Sequence, residues 1–346
     1  MERKNYYAID IAKFISAFFV IAIHVQPFID GNLDVNFAFV QVLARLAVPL
    51  FFTISGFLFF VKFDDGHEWN DYAHIQMLKS YVFRIFKLYL IWSILYLPFN
   101  YLLIRQDGFS IMTIVRYIRD FFLTGSYYHL WFLPSLIFAV CFVYFLRRYF
   151  SMTTTLVIGF VLYIIGMIGN IYPSVLTDIP VVSSIFHNYQ AIFVTTRNGL
   201  FFGTIFVALG AALVKRHRFV SSSAMIPGVG FLISLACLFA ECSLLRKFGF
   251  INDMSSMYLM LLPCVAFLFN YLLALRLRKR ACYKVMRIES TLIYVAHIMV
   301  VTALLLVFPA MNSVLCYALS CILTLIFTSV LYWLSTKVSV FKHLYA

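Results

Sequence analysis

Residues Asp10 to Val25 read DIAKFISAFFVIAIHV, an apolar run long enough to help cross a membrane that nevertheless holds Lys13 near one end and His24 near the other. Charged and titratable groups cost roughly 2 to 4 kcal/mol in hydrocarbon on insertion scales, so the fold must compensate for them. The two residues are eleven positions apart. In a helix that is about three turns plus 20 degrees, and about 16 Å along the axis, so they share one face. Ser16, Ala17 and Val20 lie between them on that face and are small enough to leave a groove.

The rest of the chain has the same character. Of its 346 residues, 63% are hydrophobic and only 12% are charged, and mean hydropathy is +0.93. A soluble domain carries about 25% charged residues, so this is an integral membrane protein. Phe contributes 39 residues, with 22 Tyr and 4 Trp, which suits lipid-facing helices with aromatic belts. The formal charge of +13 is no nucleic-acid signature, because Lys and Arg cluster in short loops between apolar spans. The seven cysteines form no CxxC pair and read as small core residues, without metal or disulfide. The start MERKNYYAIDIAKF imitates a signal peptide, but no small-residue cleavage site follows, so it reads as a retained first helix.

Segments of about 17 to 25 apolar residues span a bilayer as helices. Ten are expected, near 8–28, 40–61, 82–104, 129–146, 153–171, 199–214, 224–244, 257–275, 289–308 and 313–334. With the N-terminus inside, 19 of the 27 Lys and Arg fall in inner segments and six in outer ones, with Lys13 and Arg45 inside spans. That bias predicts an all-α, ten-helix bundle with both termini cytoplasmic. No internal repeat interrupts it, so residues 1–346 read as one membrane domain. The outer segments 105–128 and 172–198 are long enough for interfacial helices or a cap over an outward site. The inner loop KFDDGHEWNDYAHIQ gathers Asp64, Asp65, His67, Glu68, Asp71 and His74, yet matches no zinc spacing and reads as a solvated loop, not a metal site.

Several polar residues then stand out against hydrocarbon. Lys13 is either a snorkelling anchor beside Asp10 or a binding group, whereas His24, a titratable group deep in a span, reads as functional by default. Arg45 in ARLAVPLFFTISGFLFF precedes Pro49 and the Ser55-Gly56 pair, which permit a kink and close helix approach. Arg84 and Lys87 in SYVFRIFKLYLIW form a cationic pair at an inner helix mouth, which topology alone explains, with phosphate binding as the lesser reading. YYHLWFLPSL places His129 and Trp131 at an outer helix start, and TTRNGLFFG places Arg197 before the Gly199/Gly203 packing face. In ESTLIYVAHIMV, Glu289, Ser290, Tyr294 and His297 could form one polar stripe on the ninth span. Together these residues predict a polar path, suited to group transfer across the membrane or to transport of a polar solute, and residue chemistry alone leaves both open.

The Lys13-x10-His24 spacing, RLAVPLFFTISGFL with Arg45, the Arg84/Lys87 pair before a Tyr-rich span, and YYHLWFLPSL together resemble the acyltransferase-3 family over nearly the whole chain. The resemblance implies a ten-helix bacterial protein of the cytoplasmic membrane that moves an acyl group from cytoplasmic acyl-CoA to an acceptor at the outer face. Within the family, YYHLWFLPSLIF, TTRNGLFFGTIFVALGAALV and SMYLMLLPCVAF look most like the membrane half of vancomycin-resistance serine racemases. In those proteins this half precedes a soluble pyridoxal-phosphate racemase and is linked to L-serine supply. Here the chain ends at FKHLYA, so pyridoxal phosphate is expected only if a racemase domain lies elsewhere in a parent protein.

Carried over by position, the resemblance implies His24 as catalytic base for an acceptor hydroxyl, a task that suits imidazole. It implies Lys13, Arg84 and Lys87 as the donor-binding set, with Arg45 positioning or stabilising the oxyanion. Lys13 and Lys87 stand where the family usually has arginine, keeping the charge without the bidentate fork. His129, Trp131, Arg197, Glu289, Tyr294 and His297 remain candidates for the acceptor side. Three readings follow: an acyltransferase using acyl-CoA, an L-serine carrier feeding a fused or partner racemase, and a membrane anchor whose polar residues hold its helices together. None involves nucleic acid, and all involve membrane lipid.

Overall fold

The computed structural model describes residues 6–63, 72–107, 110–173, 176, 180–219, 223–252 and 255–345, with the side chains of 103–107 and 215–219 excepted. Its elements are helical: α1 (Tyr7–Val25), α2 (Leu33–Phe60), α3 (Tyr72–Leu95), α4 (Leu97–Asp107), α5 (Ile111–Leu123), α6 (Phe132–Tyr149), α7 (Met152–Ile171) and α8 (Pro180–Phe193). A π turn at Gly199–Gly203 continues as Thr204–Phe219 to make α9. Then come α10 (Met225–Lys247), α11 (Leu261–Ala274), α12 (Cys282–Val307), α13 (Ser313–Lys337) and a terminal 3-10 turn at Ser339–Leu344.

Helix starts follow local chemistry. The Asn32 side chain accepts from the Asp34 and Val35 amides at the head of α2. Ser151 caps α7 through the Thr154 amide, Asn198 caps α9 through Leu200 and Phe201, and Asn312 caps α13 through Val314 and Leu315. Each cap satisfies backbone donors that have no partner inside the helix. α1 stops where Gln26 turns left-handed, at φ 52°, just before Pro27.

Each expected span corresponds to a helix, but seven of the described helices are both long and apolar enough to cross a membrane: α1, α2, α6, α7, α10, α12 and α13. The third expected span, 82–104, runs across α3 and α4, which break at Tyr96, and the 24 residues of α3 include Lys79, Arg84 and Lys87. The sixth and eighth fall on shorter apolar helices, Gly199–Val214 and Leu261–Ala274. Ordinary α-geometry gives 14 residues about 21 Å of length, less than the hydrocarbon core of about 30 Å. This is a multi-pass membrane protein. Within its most apolar window α2 is 78% buried, against 22% for α7 and α10, so α2 is a core helix and the other two are peripheral.

The chain divides into two compact units. The first comprises Met1–Ile54, Lys215–Gly249 and Tyr258–Tyr345. Here α12 packs against both α1 and α13, α10 pairs with α11, and α1 also lies on the Ala44–Leu46 turn of α2. The second comprises Ser55–Val214 and Phe250–Met257. In it the π turn of α9 packs on α6 and α7, and α3 on α6. The packing faces expected around the glycines are real: a Cβ on Gly199 would crowd the Ser135 carbonyl, and one on Gly56 would overlap the backbone of Val207.

The long segment before α6 contains α5, which buries none of its residues. Ile111, Ile114, Val115, Ile118 and Phe122 are all exposed and recur at helical spacing opposite Thr113 and Asp120, with Arg119 at the flank, as in helices that lie in a membrane interface. Arg119 donates to the Ala191 carbonyl of α8 at 3.1 Å, holding the two helices together.

Gly56→Val should lower the thermal midpoint of the detergent-solubilised protein well below that of Gly31→Ala, because a Cβ at Gly31 meets nothing nearer than 4.0 Å. Fluorescence-detected thermal unfolding checks the order, and equal midpoints would contradict the close approach.

Candidate functional site

The strongest candidate lies in the first unit, along the seam of α1 and α12. At one end the Arg287 guanidinium grips Asp10, Nε donating to Oδ1 at 2.8 Å and Nη2 to Oδ2 at 2.7 Å. This bidentate pairing matches the fork of arginine to the two carboxylate oxygens. Tyr7 stacks on Tyr283 beside it, with ring centroids 5.0 Å apart. In the middle Ala17, Ile21, Ile293 and Val301 form a buried cluster. Ser16, Ala17 and Val20 are therefore packed inside the bundle instead of lining an open groove, and Lys13 is half-buried on the same helix.

At the other end the rings of His24 and His297 face each other with centroids 5.3 Å apart and planes 32° from parallel. His297 is fully buried. Its Nδ1 lies 3.0 Å from the Ile293 carbonyl and 2.8 Å from that of Tyr294. A carbonyl can only accept, so Nδ1 carries the proton and the lone pair of the neutral ring sits on Nε2. His24 is half-buried, so one histidine is locked by backbone and its neighbour is less enclosed.

Arg45 sits where α2 departs from regular geometry, in a 3-10 turn at Ala44–Leu46 directly after a π stretch at Ala38–Leu43. Such irregular turns re-aim side chains and frequently mark functional sites. The arginine is 6% exposed. Its Nε donates to Gln41 Oε1 at 3.0 Å, and the Tyr258 hydroxyl donates to the same oxygen at 3.2 Å. The Gln41 carbonyl accepts from Cys242 Sγ at 3.8 Å. The loop bearing Tyr258 is fastened in turn by Glu241, whose carboxylate accepts from the Leu259 amide at 2.7 Å and the Met260 amide at 2.8 Å. A buried cation is thus oriented through a glutamine and a tyrosine, while α1 packs on the turn that carries it.

Two further candidates from the ninth expected span point elsewhere. Tyr294 is buried with its ring 6.5 Å from that of Phe51. Glu289 is buried and accepts from Ser329 on α13. Eight residues is two turns plus about 80 degrees, enough to turn Glu289 to α13 while His297 faces α1. The expected single polar stripe is therefore divided between two neighbours.

The second unit holds the other candidates. The Arg84 guanidinium is exposed and lies 5.4 Å from the ring centre of buried Tyr81, and Lys87 is half-buried one turn further along. His129 is 2% exposed within an aromatic box, its ring centroid 4.9 Å from Tyr96 and 5.8 Å from both Tyr127 and Tyr128. Behind the box, the Ser126 amide donates to the Tyr89 hydroxyl at 2.7 Å and Asn100 donates to the Ser126 carbonyl at 2.9 Å. The turn into it needs Gly125, at φ +96°. The Arg197 guanidinium lies 4.9 Å above the Trp131 ring, a cation-π contact between two residues chosen separately from the sequence. Of the acidic cluster in KFDDGHEWNDYAHIQ, Asp64, Asp65, His67, Glu68 and Asp71 lie outside the described residues, and His74 is buried with its ring 4.4 Å from Phe63.

A family profile described as an acyltransferase domain (Acyl_transf_3) matches residues 6–333. The chain belongs to the acyltransferase-3 family. Its similar relatives include an amino-acid racemase of Enterococcus faecalis, 28% identical over 291 residues that make up 84% of this chain and 39% of that protein. A serine/alanine racemase of Enterococcus gallinarum is 30% identical over 274 residues, 77% of this chain and 37% of the relative. This acyltransferase-3 chain thus matches less than half the length of these curated relatives, and no solved structure matches it.

Sequence reasoning missed Gln41, Tyr258 and the Asp10–Arg287 pair. The position of Gln41, four residues before Arg45, is a local helical signal, whereas Tyr258 is 213 residues from Arg45 and carries no such signal. Gln41→Leu removes an acceptor from a buried guanidinium and should destabilise the protein by about 1–3 kcal/mol. Tyr258→Phe should cost less, because it removes one neutral donor. Chemical or thermal unfolding in detergent measures both, and a neutral Gln41→Leu would contradict the network.

Proposed function

We propose that this domain transfers an acyl group from cytoplasmic acyl-CoA to an acceptor hydroxyl at the outer face of a bacterial cell membrane, both termini being cytoplasmic, with His24 as the general base. The observation that carries the reading is the His24–His297 pair, in which backbone carbonyls hold the His297 tautomer beside the less enclosed His24 ring. A base needs a neighbour that fixes its orientation, and His297 is the positioning residue for His24. Membership of the acyltransferase-3 family supports the reaction class.

His24 takes the acceptor's O–H proton as the oxygen attacks the thioester carbon. The oxygen of the resulting tetrahedral centre carries negative charge, and Arg45, oriented through Gln41, supplies the compensating cation. When the C–S bond breaks, the thiolate takes the proton back from the imidazolium and leaves as the thiol. Lys13 in the first unit, and separately the Arg84 and Lys87 pair in the second, offer point charges suited to the donor's phosphates. His129, Trp131 and Arg197 with its aromatic surface serve the acceptor, whereas Tyr294 packs beside Phe51.

A second reading has its own support in the names of the relatives, which are amino-acid and serine/alanine racemases. In that reading the same polar path carries L-serine to a fused or partner racemase. One set of proteoliposomes separates the two. Loss of a general base costs roughly 100- to 10,000-fold, so His24→Ala should lower acyl-CoA turnover at least hundredfold with acyl-CoA affinity retained. Turnover that survives in His24→Ala rejects the base, and uptake of labelled L-serine without acyl turnover replaces the transferase reading with the carrier.

His297→Ala should reduce turnover less than His24→Ala does, mainly through kcat. Steady-state kinetics with acetyl-CoA and longer acyl-CoA donors would measure the difference.

A further inference from the structure

The packed helices α12 and α13 carry several buried polar atoms outside the chemistry above. Glu289 on α12 is 2% exposed; its Oε1 accepts from Ser329 Oγ at 3.1 Å, while Oε2 has no hydrogen-bond partner. Thr324 and Ser320 on α13 are fully buried, and Thr324 Oγ1 and Ser320 Oγ also have no hydrogen-bond partner. Three other hydroxyls on the same helix bond to carbonyls of their own helix, although one of them, Thr328, also lies beside the Glu289 carboxylate. Thr328, Ser335 and Thr336 donate to the carbonyls of Leu325, Tyr332 and Trp333 at 3.2, 2.6 and 2.7 Å. That local bond is the usual resort of a hydroxyl in a helix, and Ser320 and Thr324 forgo it. Ala and Val would fill the same volume without stranding a polar group.

Register brings Ser320 on α13 to the level of His297 on α12, although His297 itself faces α1. α12 and α13 are consecutive antiparallel helices, and Glu289 pairs with Ser329. Eight residues up α12 lies His297, and eight residues back along α13 lies Cys321, next to Ser320. Thr324 falls between the two levels. The rise from Glu289 to His297 is about 12 Å, with hydroxyls spaced about one turn apart. That arrangement is too extended for a hard cation, which gathers six or more oxygens around one point. It suits single waters, each of which needs two to four polar partners.

We propose that Glu289, Thr324 and Ser320 hold a file of water that carries protons between the Glu289 carboxylate and the His24–His297 pair. The file rests on His24 acting as the base. The proton taken from the acceptor hydroxyl passes from the imidazolium along the file to Glu289, which becomes a carboxylic acid. It returns by the same route to the leaving thiolate once C–O has formed and C–S has broken. No co-reactant is consumed, and the donor and acceptor never need to hold the proton at the same moment.

The test uses the full chain in lipid nanodiscs and infrared difference spectra recorded between acid and alkaline pH in H2O and D2O. A carboxylic-acid band is expected that shifts in D2O, is lost in Glu289→Gln and persists in His24→Ala. In Thr324→Val/Ser320→Ala, whose shapes are nearly unchanged, deuterium exchange at that band should slow. Acyl-CoA turnover in the same variant should fall about tenfold, below the full effect of losing the base, with KM unchanged and the thermal midpoint maintained or raised.

A band indifferent to Glu289→Gln overturns the proposal, as does exchange at the wild-type rate in the double variant. A band that responds to sodium and not to D2O overturns it in favour of a cation site. Intact turnover in His24→Ala rejects the base alone, because the exchange rate at Glu289 still decides the water file.

Discussion

The seam between α1 and α12 organises the first unit, because it gives polar groups partners where lipid offers none. A polar group in hydrocarbon finds no solvent to bond with, so each must find its partner within the protein. The Asp10–Arg287 pair closes one end of the seam, the two histidines meet at the other, and small apolar side chains fill the space between. Small residues allow helix backbones to approach closely in membranes. Ala17 and Ser16 therefore set the approach that lets His24 and His297 face one another, so packing and site geometry have the same origin.

Arg45 applies the same constraint on α2. The π stretch followed by a 3-10 turn breaks the regular bond pattern of a helix that is otherwise deeply buried. Gln41 takes up both the guanidinium and the Tyr258 hydroxyl on one oxygen, and Glu241 fastens the Tyr258 loop by capping two of its amides. Arg45 donates to the neutral amide oxygen of Gln41, where a carboxylate would have offset its charge directly. The arrangement suits an electrostatic role and explains how an arginine is tolerated at that depth.

The second unit supports its polar groups through aromatic rings. His129 stands among three tyrosines and Arg197 lies over Trp131, with hydroxyl and amide bonds around Ser126 bracing the turn that presents them. Aromatic faces attract cations without carrying charge of their own. The amphipathic α5, tied to α8 through Arg119, belongs to the same unit and shows the composition of a helix resting in the interface.

Residue pattern by itself determined what hydrocarbon enforces along a single helix. Apolar length announced the spans, the eleven-residue spacing put Lys13 and His24 on one face, and family motifs pointed to His24, Arg45 and the Trp131 region. Tertiary structure decided the partnerships that join residues distant in sequence: His24 with His297, Asp10 with Arg287, and Arg45 with Tyr258 through Gln41. It also corrected local expectations, closing the face around Ser16 and Ala17, turning Glu289 to α13 and making α3, α9 and α11 shorter or more polar than the other spans. The division has a physical cause. Hydropathy and helical period act between near neighbours, whereas the partner of a buried polar group is chosen by whichever helix packs beside it, and that choice is made only when the bundle closes.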